Sequence, residues 1–327
     1  MGIFDKRVSY KPFEYPGVLQ FTEAINKSYW VHSEVDFTAD VQDFMSNLSD
    51  SEKEVVKRSL LGIAQVEVGV KTFWGDLYRY FPKPEINGLG FTFAESEFRH
   101  SEAYSRLLDV LGYNKEFENL LDIPVFKEKL DLIDENLGAL YSTEHCSGPN
   151  IEIAWRLIFF TIIVENASLF SQFANILSFT RFKGYMKNTS NIIAWTSVDE
   201  QIHANAGIYL INKLHDEGYL SHISIRQVSD AVKSYMQYEA NLLDWIYEKG
   251  ELSFFTKNDI LNFMKYRVDG SIEKMGFGKV FNITPEEYQP MAWFEEEVFA
   301  NELDDFFAKR PTAYTKHDKS ITENDLF

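Results

Sequence analysis

An all-α fold is predicted by three observations. Glycine and proline number only 17 and 9 in 327 residues. Helix formers with apolar residues every three to four positions run through most of the chain. No segment shows sustained two-residue alternation, so little β structure is expected. With 45% hydrophobic and 16% aromatic residues, 28 of them Phe and 17 Tyr, the chain can bury a sizeable core.

The periodicity predicts helices near 17–28, 36–46, 51–80, 86–112, 123–141, 150–182, 187–216, 224–248 and 256–275. Ser51-Glu52-Lys53-Glu54 reads as a capping box opening the third. The fourth carries two stripes. Phe93, Glu97, His100, Tyr104, Leu107 and Leu111 share an inward face; Glu95, Arg99, Glu102, Arg106 and Asp109 share a solvated one. The sixth is apolar on nearly every side, and Trp155 to Phe179 approaches membrane-span length. Arg156, Glu165, Asn166, Ser168 and Gln172 interrupt it and no comparable span follows, so it reads as a buried helix rather than a membrane crossing. On the seventh, Ile193, Thr196, Glu200, His203, Leu210 and Leu214 share a face. From Pro311 to Phe327 the periodicity stops and the residues turn polar. Residues 1–310 therefore read as one domain and 311–327 as a mobile tail, tipped by Leu326-Phe327.

The formal charge of −18 argues against a nucleic-acid surface, which needs a basic patch. A single cysteine, Cys146, excludes intramolecular disulfides and zinc–thiolate sites and suits a reducing cytosol. Met1 to Gly17 lacks the apolar core of a signal peptide, and a cytoplasmic location is expected.

Chemistry concentrates in Glu97-Phe98-Arg99-His100 and Glu200-Gln201-Ile202-His203. On a helix, residues three apart leave the same face, so each pair can share one metal ion. Only seven histidines occur, and two carry this signature. Glu165 sits among Ile158, Phe159, Phe160, Ile162, Ile163 and Val164 before it and Leu169, Phe170 and Phe173 after it. A buried unpaired carboxylate there costs several kcal/mol. An ion pair is the plain alternative, but Arg156 and Arg181 lie far along the helix. Glu67, in Leu60-Leu61-Gly62-Ile63-Ala64-Gln65-Val66-Glu67-Val68, invites the same reasoning. Glu67 precedes Glu97 by 30 residues and Glu165 precedes Glu200 by 35, a weak duplication that gives a four-helix bundle its ligands. Four carboxylates and two imidazoles without thiolate select Fe or Mn, in a pair. Lys71, one turn beyond Glu67 and on a face with Trp74, is either a salt-bridge partner of Glu67 or a donor tuning its carboxylate.

Tyr104 stands one turn beyond His100, in reach of such a pair. At this point Glu97-x-x-His100-x-x-x-Tyr104, followed by Asp199-Glu200-x-x-His203, resembles the radical-generating small subunit of class I ribonucleotide reductase. The resemblance runs from Trp30 to the tail and implies a ferritin-like helical bundle with a buried dinuclear metal site. Glu67, Glu97 and His100 would hold one metal, and Glu165, Glu200 and His203 the other, with some carboxylates bridging. Trp30 and Asp199 would link metal-bound His100 to the radical path, and Tyr314 would relay the hole across the subunit interface. Leu326-Phe327 would dock on the large catalytic subunit, which binds the ribonucleotide. Leu169 and Phe173, one and two turns after Glu165, resemble the apolar wall that shields the oxidant. A homodimer is implied as well.

One departure is informative. Members with a stable tyrosyl radical mostly have Asp at the first ligand position, where this chain has Glu67. Tyr104 is kept, unlike the manganese–iron subclass, and together with Lys71 this looks most like the dimanganese subclass. Mn/Mn is therefore favoured over Fe/Fe or Mn/Fe. The rival readings are a ferritin-like oxygenase or desaturase and a metal-storage protein, neither of which needs Trp30, Tyr314 or a docking tail.

Overall fold

The structure, a computed structural model, describes residues 2–137 and 150–305. It contains α1 (Leu19–Lys27), α2 (Thr38–Ser46), α3 (Asp50–Glu67), α4 (Val70–Tyr80), α5 (Pro84–Leu111), α6 (Asn114–Glu118), α7 (Pro124–Leu137), α8 (Asn150–Phe159), α9 (Phe170–Lys183), α10 (Lys187–Asp216), α11 (Ile225–Ile246), α12 (Lys257–Lys274), α13 (Pro285–Tyr288) and α14 (Trp293–Asp305). A π-helical segment, Phe160–Glu165, follows α8. Among the described residues there is no strand, and the all-α expectation holds.

The centre of the bundle is α3, α5, α10 and the π segment with α9, which pack on one another; α1 and α2 lie against α10, and α11 and α12 close the side of α3 and α9. Each long helix ends for a local reason. Ser49, not Ser51, caps α3: its hydroxyl accepts from Glu52 N at 3.4 Å, while Ser49 N donates to Glu52 Oε2 at 2.9 Å. The helix starts earlier than predicted, which frees Glu54 to pair with Lys57 and Arg58. Gly112 and Gly184, at φ 80° and 75°, terminate α5 and α9 in the left-handed conformation. The start of α10 is capped from a distance. Asp40 of α2 accepts from Asn188 N and Thr189 N, and Asp43 accepts from Met186 N.

Two predicted helices are interrupted. The 51–80 helix stops at Glu67 and resumes at Val70, leaving Val68 51% exposed. The 150–182 helix widens into the π segment, where Ser168 N reaches back five residues to Ile163 O at 2.7 Å, and residues 166–169 form a turn before α9. Both breaks fall directly after a predicted ligand, Glu67 or Glu165. The helices α6, α13 and α14 were outside the predicted set. Arg99 also departs from expectation: it is buried, pairs with Glu95 and donates to Trp30 O at 3.0 Å. The apolar stretch Glu152–Lys183 has the length and hydropathy of a membrane span, but 83% of its most apolar window is buried inside the bundle. The boundary at 310 and the tail 311–327 lie outside the described residues.

Candidate metal centre

Four helical segments deliver the six predicted ligands to one place. Glu67 is the last residue of α3 and Glu165 the last of the π segment, while α5 supplies Glu97 and His100, and α10 supplies Glu200 and His203. None is more than 1% exposed. Donor atoms of Glu67, Glu97, His100 and Glu200 lie within 4.8 Å of one another, as do those of Glu97, Glu165, Glu200 and His203. Glu97 and Glu200 belong to both groups. Glu97 turns Oε2 to His100 Nδ1 at 3.3 Å and Oε1 to His203 Nδ1 at 2.8 Å. Glu200 turns Oε1 to His100 Nδ1 at 3.1 Å and Oε2 to His203 Nδ1 at 3.5 Å. Each of these carboxylates therefore spans the two groups.

Among these donor atoms the only hydrogen bond is between His100 Nδ1 and Glu97 Oε2, at 3.3 Å. His203 Nδ1 has three carboxylate oxygens within 3.5 Å, yet it makes no hydrogen bond. Both oxygens of Glu67, Oε1 of Glu97, Oε2 of Glu165 and Oε1 of Glu200 are buried and unpartnered as well. Orphaned acceptors aimed at a shared point are costly unless a cation sits between them, so the donor set fits two metal ions.

The protonation pattern agrees. Burial drives the carboxyls of Glu67 and Glu165 well above their ordinary range, and neighbouring carboxylates push further. Burial works against charge on His100, but Asp199, Glu200 and Glu97 outweigh it; at His203, Glu97, Glu165 and Glu200 do the same. Both imidazoles are raised. Burial would raise Glu200 too, but the two imidazoles hold it below the usual carboxylate range. The metal-free centre thus carries protons that bound cations must displace. Above about pH 6.5, the ordinary imidazole value, affinity for Mn2+ is expected to climb with pH, about tenfold per unit for each proton displaced. The metal-free fold should lose stability over the same rise, because its four raised groups still hold protons that the unfolded chain releases there or lower. Glu200 works in the opposite sense, losing its contribution as pH falls. Calorimetry in buffers of different ionisation heat checks the proton count, and thermal melts check the stability trend.

Beside His100 lies a hydrogen-bonded path. Its Nε2 is 3.1 Å from Asp199 Oδ2, which also accepts from Trp30 Nε1 at 2.9 Å and Ser96 Oγ at 3.4 Å. The Trp30 ring stacks on His100, with centroids 5.6 Å apart and planes 13° apart. Tyr104 is buried, and burial raises its phenol well above the ordinary value, with the Glu67 carboxylate adding to it. Its Oη and the nearby Thr196 Oγ1 make no hydrogen bond.

Residues 7–290 match the family described as ribonucleotide reductase, small chain. The chain belongs to that family. It is the small subunit of a ribonucleoside-diphosphate reductase, an oxidoreductase, and dinuclear-metal radical generation is the family's known role. It is 27% identical over 327 residues to a probable ribonucleoside-diphosphate reductase small subunit of Invertebrate iridescent virus 3, covering 95% of this chain and 85% of that one. A ribonucleoside-diphosphate reductase subunit beta of Treponema pallidum is 21% identical, with coverage of 95% and 88%. Its fold is similar to a putative class I ribonucleotide reductase from Bacillus halodurans (TM-score 0.75, 18% identity, 86% and 99% covered). It is also similar to dimanganese(II)-NrdF from Streptococcus sanguinis (TM-score 0.71, 16% identity, 88% and 98% covered). Small-subunit membership implies a large-subunit partner.

Within this small subunit several predicted neighbours take unexpected places. Lys71 neither pairs with the Glu67 carboxylate nor donates to it; its Nζ caps the broken end of α3, donating to Glu67 O and Val68 O, both at 2.9 Å. The helix break removes the one-turn spacing on which the prediction rested. Leu169 and Phe173 are buried, but the turn at 166–169 separates them from Glu165, so they do not follow it on one continuous helix. Tyr314 and Leu326-Phe327 lie outside the described residues. Trp74, read only as a neighbour of Lys71, donates from Nε1 to Glu165 Oε1 at 2.6 Å. The apolar stripe it shares with buried Val70 and Leu77 signalled core packing but gave no sign of a polar task.

Proposed function

We propose that this small subunit stores its oxidising equivalent on two manganese ions and sends it to the large subunit along Asp199, Trp30 and Tyr314. Glu67, Glu97, Glu200 and His100 would hold one ion; Glu97, Glu165, Glu200 and His203 would hold the other. When bound, the metal pair supplies a strong one-electron oxidant. The observation that carries the reading is the split of Glu97 and Glu200, each with one oxygen toward either imidazole. Glu67 at the first ligand position, and the likeness to a dimanganese(II) protein, support manganese over an iron pair or a mixed pair.

The chain's own groups handle protons and water. Asp199 Oδ2, bonded to Trp30 Nε1, is placed to take the indole proton when Trp30 is oxidised. Burial and the neighbouring Glu67 carboxylate both oppose loss of the Tyr104 proton, which favours storage on the metals over storage on its phenol. Leu169 and Phe173 belong to the apolar packing that keeps water out. The subunit works as a cytoplasmic homodimer, and residues 311–327 dock on the large subunit through Leu326-Phe327.

Metal analysis with electron paramagnetic resonance tests the storage site. A multiline metal-centred signal after oxidation of the Mn-loaded protein is expected; a narrow tyrosyl signal that disappears in Tyr104→Phe would overturn it. Truncation after Ala313 is expected to abolish turnover with the large subunit and leave metal content unchanged. Full turnover by the truncated chain would remove the tail from the pathway.

A further inference from the structure

Outside the ligand set, one buried cation reaches the residues that follow two of the ligands. Arg267 of α12 is 6% exposed. Among the described residues, the acceptors it bonds are all amide oxygens. Nε donates to Asn166 O at 3.1 Å, and Nη2 donates to Asn166 Oδ1 at 2.9 Å and Gln201 Oε1 at 3.1 Å. Asn166 Nδ2 returns a bond to Arg267 O at 2.9 Å. The Phe170 ring lies against the guanidinium, 3.4 Å from its Cζ to the ring centroid.

Asn166 directly follows Glu165 and Gln201 directly follows Glu200. Asn166 opens the turn between the π segment and α9, where the backbone has left its helical bonding and the carbonyl needs a donor from elsewhere. Among the described residues no carboxylate lies within ion-pair distance of this guanidinium, and Glu295 reaches it only through its charge, so it is costly to keep; its rigid fork is the feature that an ammonium or an apolar side chain could not reproduce. Its hydrogen bonds hold a helix break and a neighbouring helix in one relation.

We propose that Arg267 is a positioning residue of the metal centre, tying the turn after Glu165 to the helix after Glu200 and so setting the spacing of those two carboxylates around His203. The inference rests on reading Glu165 and Glu200 as ligands. The half containing Glu67 and His100 takes those two ligands from α3 and α5, which Arg267 does not hydrogen-bond. Glu200 serves both halves but Glu165 serves only the His203 half, so loss of the fork should weaken that half more than the other.

The test is a stepwise Mn2+ titration of the full-length metal-free chain, followed by the paramagnetic resonance of free Mn2+. Glu165→Ala identifies which binding step belongs to the His203 half. Arg267→Lys, which keeps the charge and loses the fork, is expected to weaken that step about tenfold or more while the other moves less than about threefold. Gln201→Ala, which removes one bond, should weaken the same step by less. Arg58→Lys is the control. Arg58 is a similarly buried arginine, 8% exposed, that grips Trp245 O and Glu248 away from the centre, and its loss should lower the melting temperature without selecting a step. Unchanged steps in a folded Arg267→Lys protein, or equal weakening of both as in a general loss of stability, would overturn the proposal. If Arg267→Lys does not fold, an unchanged step in Gln201→Ala overturns it instead. Wild-type binding of both ions by Glu165→Ala would show separately that the ligand reading itself is wrong, and the proposal falls with it.

Discussion

Glu200→Ala is expected to empty both halves of the metal centre at once. The reason is geometric. Glu200 offers Oε1 beside His100 Nδ1 and Oε2 beside His203 Nδ1, so a single truncation strips an oxygen from each donor group. Glu97→Ala should behave in the same way, since its oxygens are divided in the opposite order. Glu67→Ala and Glu165→Ala differ, because each residue belongs to only one of the two groups. Those variants should keep one ion and lose the other, and all four should lose turnover. Metal analysis after exhaustive dialysis distinguishes the two classes. Melting curves in chelator guard against an unfolding artefact: Glu67→Ala removes two buried oxygens that make no hydrogen bond, a gain set against the cavity it leaves and the lost 3.9 Å pairing with His100, so its metal-free form should stay within roughly 1–3 kcal/mol of the parent. Glu200→Ala lacks that benefit, because both imidazoles lean on its carboxylate. A Glu200→Ala protein that still binds two ions would show that the two groups do not share it.

The legibility of these residues in the sequence follows from how local each signal is. Glu97 with His100 and Glu200 with His203 are visible because a helix places residues three apart on one face whatever surrounds them. Glu67 and Glu165 are visible by burial, since a carboxylate inside an apolar run must meet something positive. The helix breaks after them are not visible. A segment apolar on every side has no stripe, so nothing in the pattern records the extra residue of the π segment or the turn at 166–169. Lys71 illustrates the same limit: the break after Glu67 turns its ammonium to the carbonyls of Glu67 and Val68, while its charge still lowers the Glu67 carboxyl. Ser49 and Ser51 both stand three residues before a glutamate, so the pattern alone offers two boxes, and only the one at Ser49 closes. Arg99 sat in a charged stripe, and only the approach of the Trp30 segment to α5 buries it. Arg267 had no signal at all: its partners follow ligands on other elements, remote in sequence.

Trp30→Phe and Asp199→Asn should separate possession of the oxidant from its delivery. In both, the ligand atoms are untouched, because Asp199 meets His100 at Nε2 while the carboxylates gather at Nδ1. Metal content and the stored-oxidant signal should therefore remain near those of the parent. Delivery should fail for different reasons. Phenylalanine keeps a ring to stack on His100 but has no N–H to bond Asp199 and is far harder to oxidise than indole. Asparagine can still accept the Trp30 N–H bond, yet its amide is too weak a base to take the proton when the indole gives up an electron, leaving a charged radical in a buried site. Turnover with the large subunit is expected to fall about 100- to 10,000-fold in Asp199→Asn, the range for removing a positioned proton acceptor, and at least as far in Trp30→Phe. The decisive measurement is the decay of the stored signal on adding large subunit and substrate: accelerated in the parent, unaccelerated in both variants. Normal turnover by a fully metallated Trp30→Phe protein would mean that the oxidising equivalent leaves the bundle elsewhere, and the hydrogen bond between Trp30 and Asp199 would then serve only to hold His100 in its orientation.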